Sequence, residues 1–80
     1  MTKIEVWLVE YFNDNENAWE WGNVIRQSES TEEQARKETY ANNFGCFYNQ
    51  DTETFKGDSE DIEHITENWK ENTRVWSLSI

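Results

Sequence analysis

Apolar and polar positions alternate through residues 3–12. Ile4, Val6, Leu8 and Phe12 fall on one face, interrupted by Glu10, and Trp7, Val9 and Tyr11 follow Glu5 on the other. A period of two predicts a β-strand, and apolar groups on both faces predict a central strand, covered on both sides or lying at an interface. Asn13-Asp14-Asn15-Glu16-Asn17 is a turn, because Asn and Asp tolerate left-handed backbone angles and bond their own main chain. Residues 18–27 read as the second strand of a hairpin. Trp19, Trp21 and Ile25 share one of its faces, and Glu20, Val24 and Arg26 the other.

The period then changes. Ser30-Thr31-Glu32-Glu33-Gln34 has the pattern of a capping box, so a helix is predicted from there to about Phe44, with Gly45 as its left-handed terminator. Its apolar stripe is thin: Tyr40, Ala41 and Phe44 with the stem of Lys37, and Ala35 off to the side. Residues 46–57 read as a short strand or a packed loop carrying Phe47, Tyr48 and Phe55. Gly57-Asp58-Ser59 introduces a second helix over about 60–71, with Ile62, Ile65 and Trp69 on one face. Residues 73–80 alternate again and predict a strand, with Arg74, Trp76, Leu78 and Ile80 set against Val75, Ser77 and Ser79.

The order ββααβ predicts an α+β fold: a small antiparallel sheet, made of the hairpin and the C-terminal strand, with two helices packed on one face. The aliphatic face of the first strand is expected beneath the helices, leaving the Trp7, Val9, Tyr11 face uncovered in a monomer. Eighty residues imply a single domain over 1–80. A chain of this size buries only roughly 60–65% of its surface, so no deep cofactor cleft fits beside a complete core.

Charge changes the picture most. Seventeen acids against seven bases give a formal net charge of −10. Such a surface repels free nucleic acid and anionic membranes and attracts basic proteins. An aromatic content of 15% argues against disorder as the source of the acidity. Solubility is the plainer explanation for the charge. With a single cysteine, Cys46, no intramolecular disulfide forms. Cys46 reads as a small buried apolar residue, the alternatives being an intermolecular disulfide or a reactive thiol. The N-terminal stretch lacks the unbroken apolar run of a signal or membrane helix, so the expected compartment is the cytoplasm.

Two surfaces are candidates for partner binding. On the second predicted helix, Glu60, Glu67 and Glu71 cluster within about 40° and Glu63 lies nearby, a stripe of roughly 16 Å at 1.5 Å per residue. Asp58 and Asp61 thicken its beginning. A solvated face opposite a core stripe explains most of this pattern. Yet Glu67 and Glu71 lie toward the C-terminal end, where the helix dipole disfavours them, and like charges four apart repel. Carboxylates in line on a rigid helix can occupy a groove whose Lys and Arg rows grip phosphates. The second surface is aromatic. Trp7, Tyr11, Trp19 and Trp21 cannot all fit beneath two short helices, and exposed aromatics cluster at interfaces. The alternative is that residues 46–57 fold over them. Trp69 and Trp76 are expected in the core.

Catalytic chemistry finds little support. There is no glycine-rich phosphate loop, and one histidine makes no distinctive Ser/His/Asp pattern. Cys46 and His64 could pair, but nothing in their spacing requires it. Nearby carboxylates are expected to favour charged His64. A metal site on Glu60, His64 and Glu67 would lack further His or Cys ligands. The oxygen-rich stretches 13–17 and 51–58 do not match a calcium loop. No catalytic residue, metal or cofactor is therefore assigned.

The size, acidity, aromatic content and ββα…β order resemble small phage-encoded inhibitors of host nucleic-acid machinery, a group that includes anti-restriction and anti-CRISPR proteins and inhibitors of bacterial RNA polymerase. The resemblance covers the chain in outline, and no functional residue is carried over from it. It implies a non-catalytic, acidic protein in the host cytoplasm that blocks a nucleic-acid-binding enzyme by occupying its basic groove. The alternative is an interaction module or homodimer that docks through an aromatic sheet face, including an inhibitor of RNA polymerase. Neither direct nucleic-acid binding nor a membrane partner is expected.

Overall fold

The structure is a computed structural model that describes residues 3–79. Its elements are β1 (Glu5–Asn13), β2 (Ala18–Arg26), α1 (Glu32–Asn43), β3 (Phe47–Asn49), β4 (Thr54–Lys56), α2 (Ser59–Asn68) and β5 (Thr73–Ser79). The fold is α+β, with two helices and a three-stranded antiparallel sheet in the order β2-β1-β5. As its two apolar faces predict, β1 is the central strand. The order ββααβ is corrected to ββαββαβ, because residues 46–57 form their own two-stranded sheet, β3-β4, with Tyr48 opposite Phe55.

Local chemistry explains the element ends. In the hairpin turn, Asn13 Oδ1 accepts from the Asn15 amide at 3.0 Å, and Asn17 adopts a left-handed φ of 51°. Thr31 caps α1 in a capping box: its hydroxyl accepts from the Gln34 amide at 3.2 Å, and Gln34 Oε1 accepts from the Thr31 amide at 3.0 Å. Gly45, at φ 73°, turns the chain out of α1, and the Cys46 amide donates to Ala41 O. Asp58 caps α2 by accepting from the Glu60 amide at 3.0 Å. That helix ends at Asn68, three residues before the expected limit, and a turn through Asn72 leads into β5.

The prediction of which sheet face lies under the helices is reversed. Trp7, Val9 and Tyr11 face α1: Val9 is fully buried, Tyr11 packs against the core, and Trp7 Nε1 donates to Ser30 O at 3.0 Å. Two features of β2 go with the reversal. One is a bulge: Leu8 pairs with Val24 but Glu10 pairs with Trp21, so β2 carries an extra residue near Gly22 and Asn23. A bulge shifts the phase of a strand by one. Ile25 therefore moves to the helix side, and Val24 and Arg26 join Trp19 and Trp21 on the other. The second feature is Gly22 itself, where a Cβ would lie 2.2 Å from Thr39 Cγ2 of α1 and 3.1 Å from Val9 O. The missing side chain makes room for the helix.

The core lies between the helices, the small sheet and the covered face. Tyr40, Ala41, Cys46, Tyr48, Ile65 and Trp69 form one buried cluster, with Tyr11, Phe44 and Phe55 packed against it. Residues 46–57 thus complete the helical side and do not cover the aromatic face. Ala35, which the helical stripe leaves aside, is fully buried. Helix α1 buries two sides, with Thr39 against the sheet and Tyr40 and Ala41 in the cluster. Trp76 is the converse case: expected in the core, it is 51% exposed.

Gly22→Ala should destabilise the fold by about 1–3 kcal/mol, the usual penalty for overpacking a tight contact. Adding Thr39→Ser, which removes the opposing methyl, should recover part of that loss. Urea unfolding of the two single variants and the double variant measures both effects.

Candidate functional site

Ile65 and Trp69 anchor α2 in the core, and the spacing of the helix then turns Glu60, Glu63 and Glu67 to the exposed side. The other predicted acids are placed differently. Asp58 is exposed but engaged as the N-cap, Asp61 is half-buried, and Glu71 is exposed in the turn beyond the helix. The rigid stripe is therefore the three glutamates.

Among the described residues, the ion pairs are Lys37–Glu33 at 3.4 Å and His64–Asp14 at 3.8 Å. Neither involves an acid of α2. The nearest cations are drawn elsewhere: Arg36, Lys37 and Lys70 lie 5.2, 5.1 and 5.6 Å from the centre of the Trp69 ring. Arg36 also ties α1 to the turn before β5, donating to Thr73 Oγ1 at 2.8 Å and to Lys70 O at 2.6 Å. Arg36, Lys37 and Lys70 are thus occupied with structure.

The second surface is the open face of the three-stranded sheet. Trp21 (65% exposed), Val24, Trp76, Leu78 and Ile4 are its most exposed apolar residues, with Leu8, Phe12 and Trp19 half-buried between them. Phe12 meets Trp19 edge-on at 5.6 Å, and the Arg74 guanidinium lies 3.7 Å from the Trp19 ring centre. Trp76 Nε1 donates to Glu10 at 2.8 Å. Of the predicted aromatic surface, Trp19 and Trp21 are brought together here, whereas Trp7 and Tyr11 lie on the helical side. Sequence reasoning missed Val24, Trp76 and Leu78 as members of this face. For Val24 the missed signal is Gly22, which marks the bulge.

The charges divide with the two sides. Strand pairing places Arg26, Arg74 and Glu10 on the open face. It therefore holds two of the seven bases and only one of the seventeen acids. The remaining five bases and sixteen acids lie elsewhere in the chain.

Cys46 is enclosed, and both ring nitrogens of His64 have neighbours. Cys46 is buried, with Sγ 3.9 Å from Phe44 O. His64 Nε2 lies 3.2 Å from Tyr40 Oη, which also accepts from Asn72 Nδ2 at 2.8 Å, and its Nδ1 lies 3.3 Å from Asn68 Nδ2. Burial raises the Tyr40 pKa against the opposing hydrogen bond from Asn72, and the Asp14 charge adds to the rise. The carboxylate paired with His64 is Asp14 of the hairpin turn, not Glu60 or Glu67. Among the described residues, no three His, Cys, Asp or Glu side chains gather in a way that could hold a metal ion, and no helix is long and apolar enough to cross a membrane.

No family model, curated protein or solved structure matches this chain.

One polar cluster joins β1 to β2. Glu20 accepts from Tyr11 Oη at 2.8 Å and from Asn13 Nδ2 at 3.1 Å. The bonds from Asn13 and Tyr11 hold the Glu20 carboxyl below its ordinary pKa, and the same contact raises that of Tyr11. A depressed carboxylate contributes stability above its unfolded pKa and loses it as pH falls through the folded one. Carbon-detected NMR titration should place the Glu20 midpoint below the ordinary glutamate range. Tyr11→Phe should move it back up.

Proposed function

We propose that this chain is a non-catalytic, acidic binding protein that occupies the basic groove of a nucleic-acid-binding protein, in the manner of small phage-encoded inhibitors. The observation that carries the reading is the division of charge: sixteen of seventeen acids lie off the open face, and the α2 glutamates have no cation paired with them among the described residues. Glu60, Glu63 and Glu67 sit on a helix anchored by Ile65 and Trp69, so their carboxylates are presented from a fixed frame. Groups held in place bind with less ordering cost than the same groups on a mobile segment. The summed field of the acidic side speeds encounter with a cationic surface and makes binding sensitive to salt. The non-catalytic reading is supported by the burial of Cys46 and by the contacts of both His64 ring nitrogens.

A second reading uses the open sheet face to dock a different protein, RNA polymerase among the candidates. The exposure of Trp21 and Trp76 favours it, since large aromatics anchor interfaces. On that reading binding survives high salt.

Pull-down from a bacterial lysate, with stepwise salt elution, tests the first reading. The wild type should retain a nucleic-acid-binding protein that moderate salt or added DNA or RNA releases. The folded triple variant Glu60→Lys, Glu63→Lys, Glu67→Lys should not retain it. Equal retention by that variant would contradict the acidic-surface mechanism.

A further inference from the structure

The open sheet face leaves a large apolar surface to water. The five most exposed members, Trp21, Val24, Trp76, Leu78 and Ile4, are 43–65% exposed. Together they offer about 500 Å², taking ~150–250 Å² for a large aromatic side chain and less for an aliphatic one. That is already near the upper end of the largest apolar patches on typical monomers, ~300–600 Å². With Leu8, Phe12, Trp19 and the stems of Arg26 and Arg74, the face approaches the ~800 Å² per partner of a stable interface.

We infer that a second copy of this chain covers the open face, the two sheets packing face to face about a two-fold axis. Three features select that occupant. The first is composition: eight apolar side chains that reach solvent, with Val6 buried among them, against three charges is the balance of a permanent homodimer interface, more apolar than surfaces that meet transiently. The second is charge. Through any acid-bearing side, two copies bring carboxylates against carboxylates. Here each brings a single acid, Glu10, with Arg26 and Arg74 on the same face, so a two-fold axis sets few carboxylates against each other and offers Glu10 of each copy an arginine of the other. A chain of net charge −10 repels a polyanion and a second copy alike, and the open face, with its single acid, is where a second copy meets least of that repulsion. The third is demand. The buried hydrophobic core of the described residues comprises nine side chains, and chains of this size gain stability from association. Twisted sheets of this kind pack with their inner faces interdigitated, and Trp21 and Trp76 are both exposed on the face that would meet its copy. Such a dimer leaves both α2 helices on its outer sides, so the inference stands independently of the reading of the acidic surface.

Sedimentation equilibrium of the full chain between about 1 and 100 µM tests it. The expected species has twice the 9.6 kDa chain mass, and its thermal midpoint should rise with protein concentration, as for any associating fold. Trp21→Glu and Trp76→Glu, both at exposed positions, should each weaken dimerisation about a hundredfold or more, as expected when an aromatic anchor is lost. Circular dichroism should show both variants folded. Phe47→Ser, at an apolar position exposed outside this face, should dimerise as the wild type does. The charge-reversed α2 triple variant should also dimerise, which separates this inference from the proposed function. A wild type that stays monomeric at 100 µM overturns the inference. So does a dimer that both folded tryptophan variants preserve, or a monomer whose face is taken by a different protein or by an oligonucleotide.

Discussion

Much of this molecule depends on how closely α1 seats against the sheet at Gly22. A Cβ there would lie 2.2 Å from Thr39 Cγ2, so the helix reaches this depth only because the strand has no side chain at that point. The same stretch of β2 holds the bulge, which sets the β2 side chains that share each face with those of β1. Val9 and Tyr11 go under the helix. Leu8, Phe12, Trp19, Trp21 and Val24 are left on the far side. The buried and open faces are thus the two sides of one local arrangement.

That arrangement also bears on where charge accumulates. The Trp7, Val9, Tyr11 face is covered by α1, against which α2 and β3 pack in turn, and these elements and their connections carry most of the acids. Three of the few cations on that side, Arg36, Lys37 and Lys70, gather around Trp69, and Arg36 also ties α1 to the chain entering β5. Cation–ring contacts of this kind contribute roughly 0.5–2 kcal/mol. They add stability at Trp69, and among the described residues no cation is paired with Glu60, Glu63 or Glu67. The open face carries two bases and one acid, so the molecule has one weakly charged apolar side and one strongly acidic side.

Much of the fold was legible in the chain. Period-two alternation located all three long strands, Thr31 and Gln34 marked the first helix, and Ile65 and Trp69 gave the buried face of the second. What failed was phase. The apolar residues of β1 are spread over both faces, so strand periodicity could not say which one is covered. One extra residue in β2 then exchanged Ile25 with Val24 and Arg26. Gly22 was the available signal, since an isolated glycine inside a strand often marks a bulge or a close backbone approach. Residues 46–57 were ambiguous for a different reason: their two strands are three residues each, too short for alternation to register. Of the candidate acids, Glu60, Glu63 and Glu67 were readable from helical spacing. The capping role of Asp58 and the end of α2 before Glu71 depend on backbone geometry that spacing alone does not determine.

The arrangement of faces can be tested directly by NMR, through nuclear Overhauser contacts from the Thr39 methyl group in the full chain. The account predicts strong contacts to the Gly22 α-protons and further contacts to Tyr11. Contacts from α1 to Leu8, Val24 or Trp76 instead would place the helices on the opposite face and contradict the assignment of both surfaces.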